Sequence, residues 1–224
     1  MDTTFSCAIQ DGGRGGGVGG SLTKIGTGTL DLTGVSTYTG DTNVNGGVLK
    51  VDGSIASNTV VHHSSTLAGT GTINTNVSNI GGTVSPGEAG IPGVLTVVHN
   101  YTQAQYATLM IQIAGASPGQ FSVLNVLGSA NLNGVLDPVL LNGFVPTIGQ
   151  TFSFLDYASF TGEFSQILNL VFNHGTEQWS VIYEGNHAIL TVGPNTIPDQ
   201  GSTFVLLTLG LLGLVAYRRQ LLRG

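Results

Sequence analysis

The stretch from Gly26 to Val51 reads GTGTLDLTGVSTYTGDTNVNGGVLKV, and its reading decides the fold. Apolar and polar residues alternate around Leu30 and Leu32, and again through Val44, Leu49 and Val51. A period of two marks strands with one buried face. Asn45-Gly46-Gly47 and Asp52-Gly53 are turn signals between such strands. Working outward, Gly26-Thr27-Gly28-Thr29-Leu30 recurs as Gly69-Thr70-Gly71-Thr72-Ile73, and Gly47-Val48-Leu49-Lys50-Val51 as Gly93-Val94-Leu95-Thr96-Val97. The inward candidates Leu30, Leu49, Leu67 and Val84 are separated by 19, 18 and 17 residues. Near-constant spacing of this length argues for a solenoid whose coils stack short strands on one another. The expected fold is all-β: a right-handed parallel β-helix with a C-terminal β cap, followed by one hydrophobic C-terminal helix. A β-sandwich of hairpins is the alternative, disfavoured by the coil-like spacing.

Composition agrees with this reading. The chain has 224 residues, 35 of them Gly, and only 8% are charged. An ordinary helical protein would carry far more charge. Collagen is excluded, because Gly has no three-residue period and Pro numbers only 7. The 6 Lys and Arg face 12 Asp and Glu, and no Lys or Arg occurs from Val51 to Tyr217. A body so poor in cations cannot displace phosphate counterions, so nucleic acid is excluded as a partner. Cys7 is alone, which rules out an internal disulfide and a Cys-based metal site.

The organisation expected along the chain is a Gly-rich N-terminal segment over 1–20, a repeat-bearing β-helix over 21–100, further coils and a cap over 101–193, and a sorting tail over 194–224. Twelve of the 16 aromatic residues fall in 100–193, which suits the closing of a solenoid's open end. Trp179, Val181 and Tyr183, then Ile189, Leu190 and Val192, read as two final strands around a turn at 184–187. An aromatic sugar platform is the competing use of these rings.

In the tail, a polar stretch precedes Phe204–Tyr217, FVLLTLGLLGLVAY, which has no charge. Arg218, Arg219 and Arg223 follow. Fourteen helical residues cover about 21 Å, and counting from Gly201 gives 17 residues, the low edge of a membrane span. The anchor residues are Phe204, Leu206, Leu207, Leu209, Leu211, Leu212, Leu214 and Val215. The arginines would hold that end in the cytoplasm and leave the body outside. At the other end, MDTTFSCAIQDGG lacks the basic and apolar regions of a signal peptide, leaving open an upstream start, a lost beginning or another export route.

Catalytic chemistry is sparse. Of the acids in the repeat-bearing region 21–100, Asp31, Asp41, Asp52 and Glu88, stacked coils could bring Asp31 and Asp52 together. A glycosidase would need such a pair about 5–10 Å apart. Asp41 and Asp52 each adjoin a glycine and read better as turn residues. His62 and His63 are adjacent on a strand and so face opposite sides, which makes joint chelation difficult. No catalytic residue, cofactor or metal is expected, and the chain is read as not an enzyme.

Two family resemblances follow from these residues. Residues 20–85 resemble the passenger-associated β-strand repeat of autotransporters, through Gly26-Thr27-Gly28-Thr29-Leu30, Thr33-Gly34, Tyr38-Thr39-Gly40, Thr42, Asn45-Gly46-Gly47 and Leu49. The region from Phe121 to Phe164 resembles a passenger's end. The resemblance implies a surface-exposed β-helix, although only 31 residues follow Gly193 and no outer-membrane barrel can fit in them. The tail resembles the PEP-CTERM/VPDSG-CTERM sorting signals, through Ile197, Pro198, Asp199, Gly201, Ser202 and Thr203 with Gln200 departing from the pattern. It is less similar to an LPxTG sortase signal. The sorting resemblance implies an exosortase-type protease as partner and passage from a membrane-anchored precursor to the cell surface or medium. The function expected is that of a structural or adhesive surface protein with an extracellular polysaccharide or surface as ligand. A carbohydrate-active enzyme and a remnant of a longer passenger are the alternatives.

Overall fold

The computed structural model describes residues 2–12 and 15–195. Three parallel sheets run the length of the body, and each coil of the chain adds one strand to each sheet in turn. Sheet 1 is built from Thr3–Phe5, Thr29–Leu32, Gly47–Val51, Ser65–Gly69, Thr83–Glu88, Thr108–Ile113, Val135–Leu140 and Gln166–Ile167. Sheet 2 contains Leu22–Lys24, Thr42–Val44, Thr59–Val61, Val77–Asn79, Tyr101–Gln103, Ser129–Leu132 and Ser159–Gly162. Sheet 3 starts at Val35–Ser36 and continues through Ser54–Ile55, Thr72–Ile73, Val94–Val97, Val123–Val126 and Thr151–Asp156. This is a parallel β-helix.

The leucine spacing in the sequence is the core ladder. Leu30 pairs in register with Leu49, Leu49 with Leu67, and Leu67 with Val84. The column continues through Leu109, Leu136 and Ile167 as the coils lengthen. Leu49, Leu67, Val84, Leu109 and Leu136 are fully buried. Each contributes about 1.5–3 kcal/mol by leaving water.

The two repeated pentapeptides are not equivalent positions. Leu30 lies in sheet 1, whereas Ile73 pairs with Ile55 and Val97 in sheet 3. Leu49 likewise belongs to sheet 1 and Leu95 to sheet 3, opposite Leu124. The same strand chemistry serves two sides of the coil.

Polar ladders hold the corners. Asn76 Nδ2 donates to Asn58 Oδ1 at 3.1 Å, Asn100 N to Asn76 Oδ1 at 3.1 Å, and Ser129 N to Asn100 Oδ1 at 3.0 Å. The Tyr38-Thr39-Gly40 triplet fastens the first coils. The buried Tyr38 hydroxyl lies 2.6 Å from Thr42 Oγ1, which is 2.5 Å from Ser57 Oγ. Thr39 N and Oγ1 both donate to Asp11 Oδ2, and Gly40 N donates to Gly20 O. The N-terminal segment is therefore tied to the solenoid. Thr3–Phe5 even supplies a strand of sheet 1, a pairing that a Gly-rich linker reading does not anticipate.

The far end is closed by a change of direction. Glu177–Glu184 and His187–Pro194 join sheet 3 as neighbours, with Val171–Phe172 outside them. His187–Pro194 pairs antiparallel to Thr151–Asp156, as Val171–Phe172 does to Glu177–Glu184. The turn between the two long strands falls at Gly185-Asn186, within the expected 184–187. Phe152, fully buried, meets Trp179 edge-on at 5.8 Å and Phe121 at 5.5 Å; Trp179 in turn contacts Phe172 at 4.7 Å. The large rings serve as the end of the core.

Met1–Gly193 forms one unit and Pro194–Gly224 another, and the coils pass residue 100 without a break. Among the described residues no helix is long and apolar enough to cross a membrane. The expected helix at Phe204–Tyr217, the sorting motif and the arginines lie outside the described residues.

Candidate functional site

The outer face of sheet 1 carries the densest chemistry of the body. Asp31 and Lys50 are opposite each other in the ladder, so their side chains emerge on the same face. Lys50 Nζ lies 3.2 Å from Asp31 Oδ2, 2.8 Å from Asp52 Oδ2 and 2.8 Å from Glu88 Oε1. Three coils thus converge on one ammonium. Asp2, Asp31, Lys50 and Glu88 line a cleft of about 300 Å³, together with Thr3, Thr4, Thr29 and Ala89. A second cleft of about 250 Å³ continues along the sheet past Ala68 to Met110 and Gln112. The Glu88–Pro92 excursion overhangs both, held by Gln112, whose Nε2 donates to Glu88 O at 2.7 Å.

The structure brings together Asp31 and Asp52, as their spacing allowed, but places a cation between them. Lys50 is held above the usual lysine range by its hydrogen bonds to Asp52 and Glu88. Burial opposes the charge of Asp52. The bonds from Lys50 and from Thr70 outweigh it and keep the carboxyl below its ordinary 3.8. Thr70 N donates to Asp52 Oδ1 at 3.0 Å, so Asp52 also stitches the next coil. A general acid needs a raised pKa. A carboxyl pinned by an ammonium has the reverse. Asp41 stands apart, its backbone carbonyl accepting from Leu22 N.

Replacing Lys50 with methionine leaves three carboxylates facing one another. The expected loss is about 1–3 kcal/mol at pH 7, several degrees of Tm. The depressed Asp52 pKa contributes stability above its ordinary value of 3.8 that is lost as pH falls through the folded-state value. The difference between wild type and K50M is therefore expected to shrink below about pH 4. Thermal melts from pH 3 to pH 8 check both the size and the sign.

The histidines do not cluster. His62 Nε2 lies 3.3 Å from Asn43 Oδ1, and His63 is exposed. Among the described residues no three His, Cys, Asp or Glu side chains are placed to hold a metal ion. His187 and Asp156 form a dyad that sequence reading did not single out: Nδ1 donates to Asp156 Oδ1 at 2.6 Å. Their antiparallel pairing in sheet 3 creates it, a register invisible in the sequence. Ser153 Oγ donates to the same carboxylate oxygen at 3.4 Å. That hydroxyl sits on the acid and not on the imidazole, so it lacks the nucleophile's contact of a Ser-His-Asp triad.

Comparison with known proteins adds two family matches. The passenger-associated transport repeat matches residues 22–51, the first coils, a narrower span than the 20–85 of the resemblance. The VPDSG-CTERM motif matches residues 197–221. Two matches are to proteins named extracellular serine protease from Serratia marcescens. One is 51% identical over 81 residues, 36% of this chain and 8% of that protein. The other is 52% identical over 54 residues, 24% of this chain and 5% of that protein. The chain thus overlaps only a small part of either relative's length. It carries a passenger-associated transport repeat in the first coils of a β-helix and a VPDSG-CTERM motif in its tail.

Proposed function

We propose that this chain is a secreted or cell-surface β-helix protein with a structural or adhesive role, delivered by its C-terminal tail. The observation that carries the reading is the pairing of a passenger-type β-helix with a sorting motif at residues 197–221 on one chain. Both the motif and the extracellular relatives support delivery outside the cell. The right hand of the helix follows from the strong preference of parallel crossover connections.

In this reading Phe204–Tyr217 spans the membrane of the precursor, and Arg218, Arg219 and Arg223 stay on the cytoplasmic side. An exosortase-type protease recognises Ile197, Pro198, Asp199, Gly201, Ser202 and Thr203 and cuts nearby. The non-enzymatic reading draws on the carboxylates paired with Lys50 and on the Ser153 hydroxyl bonded to Asp156 rather than to the His187 ring. The protease activity in the relatives' names is not carried over, since the overlap is 8% of one and 5% of the other. An extracellular polysaccharide is the ligand class suited to the clefts of sheet 1, where Asp2, Asp31 and Glu88 around the single Lys50 disfavour an anionic polymer.

Brief proteolysis of intact native cells tests delivery. Peptides from residues 15–195 are expected in the supernatant without lysis. Their appearance only after lysis would sink the reading.

A further inference from the structure

The outer face of sheet 3 carries an unbroken file of polar side chains. Ser54 pairs in register with Thr72, Thr72 with Thr96, Thr96 with Asn125, Asn125 with Asp156, and Asp156 with His187. Their neighbours Ile55, Ile73, Val97 and Val126 are buried, so by strand alternation the file faces outward. Each coil therefore presents one polar group about 4.8 Å from the next. The file ends in a pocket of about 340 Å³, where the chain leaves sheet 3 for sheet 2 through Leu127 and Ala158.

The polar groups of that pocket are fixed but unsatisfied. Asp156 Oδ1 accepts from His187 Nδ1 at 2.6 Å and from Ser153 Oγ. Its Oδ2 and the ring's Nε2 have no partner among the described residues, nor do the side-chain amides of Asn125 and Asn186. Leu127, 56% exposed, and Ala158 form an apolar wall beside them. The turn is pinned from below: Tyr157 N donates to Asn186 O at 2.9 Å, and the Tyr157 hydroxyl donates to His187 O at 2.8 Å. Groups held in place before a ligand arrives cost little to order on binding.

A few fixed polar groups against an apolar wall suit a small polar ligand with a C–H face. An anion finds no Lys or Arg here, since none occurs from Val51 to Tyr217. A cation finds one carboxylate, already shared with His187. Amides, a carboxylate oxygen and an imidazole nitrogen pair instead with adjacent hydroxyls, which donate and accept in turn. A neutral sugar presents such hydroxyls around an apolar ring face. A chain of sugars has more of them for Thr96, Thr72 and Ser54.

We propose that this pocket binds a neutral glycan, with one sugar unit against Leu127 between Asn125, Asp156 and His187 and the chain running along the file toward Ser54. The site lies on sheet 3, separate from the clefts of sheet 1. It takes its ligand class from the adhesive reading above and its place from the geometry.

The full chain, in a detergent without a sugar headgroup, is screened against immobilised neutral gluco-, galacto-, manno- and xylo-oligosaccharides. Oligogalacturonate and chitosan oligomers are the anionic and cationic comparisons. Asn125→Ala and His187→Gln probe the pocket, and Thr66→Tyr obstructs the cleft of sheet 1. Folding of each is verified by circular dichroism. Wild type is expected to bind at least one neutral oligosaccharide in preference to the charged ones. Its Kd is expected to rise at least about threefold in each pocket variant and about tenfold in the double variant. A folded wild type that binds no neutral oligosaccharide, or binds the charged ones better, would overturn the proposal. So would binding that persists in both pocket variants and is lost in Thr66→Tyr, which would place the glycan on sheet 1. Delivery is read separately by proteolysis of intact cells, so a failure here leaves that result standing.

Discussion

Gly69→Val is expected to destabilise the body by more than about 4 kcal/mol, enough to lower Tm by 10 °C or more. Gly69 ends the strand Ser65–Gly69 with φ at +118°, a conformation that β-branched residues avoid. A Cβ there would meet Val51 O at 2.1 Å, and the carbon and nitrogen of the same residue lie just beyond. All three are backbone atoms of the coil beneath and cannot rotate away. Relief requires the two coils to separate, and they are the ones bonded by Leu49 opposite Leu67. Coil spacing is fixed at about 4.8 Å by hydrogen bonding, so a local separation also opens the buried leucine column. Gly17→Ala is the control: nothing lies within 4 Å of a Cβ at that position. It is expected to change stability by less than about 0.5 kcal/mol. Thermal and denaturant melts of both variants check the contrast. A valine tolerated at 69 would mean that the coils do not stack in this register.

Much of this was legible in the sequence because a solenoid writes its core as spacing. Leu30, Leu49, Leu67 and Val84 could be picked out as one column, since burial on one face of each strand demands an apolar residue there in every coil. The pentapeptide repeats misled for the same physical reason. Strands on all three sides obey one alternation, so Gly69–Ile73 matches Gly26–Leu30 in letters while lying around the corner from it. The cap was readable from its aromatics and its Gly185 turn. The cluster at Lys50 was half legible. The 21-residue offset of Asp31 and Asp52 hinted at contact. The lysine between them, two residues from Asp52, takes its meaning only from the parallel register that sets it against Asp31. Glu88 joins through an excursion whose path no periodicity encodes. Asp11 and the His187–Asp156 pair were likewise out of reach, because both depend on long-range pairing.

The second large effect concerns the tail. Phe204–Tyr217 is uncharged and followed by three arginines within six residues of its end. Embedding such a segment is favourable at each apolar side chain, while moving the arginines across is not. A chain so anchored stays in the membrane until a bond outside the span is cut. On the proposed reading that bond lies in the polar stretch at 197–203, within the VPDSG-CTERM match. Cleavage there leaves the β-helix and its cap whole, because the body ends at Gly193. Processing should therefore be complete or absent, with no partially unfolded product.

The most direct measurement is the intact mass of the native protein from cell-surface, medium and inner-membrane fractions, with its terminal peptides sequenced. The account predicts that the surface or medium form ends near Gly201 and lacks Phe204–Tyr217 and the arginines. A chain that retains Arg223 and is confined to the inner membrane would contradict it.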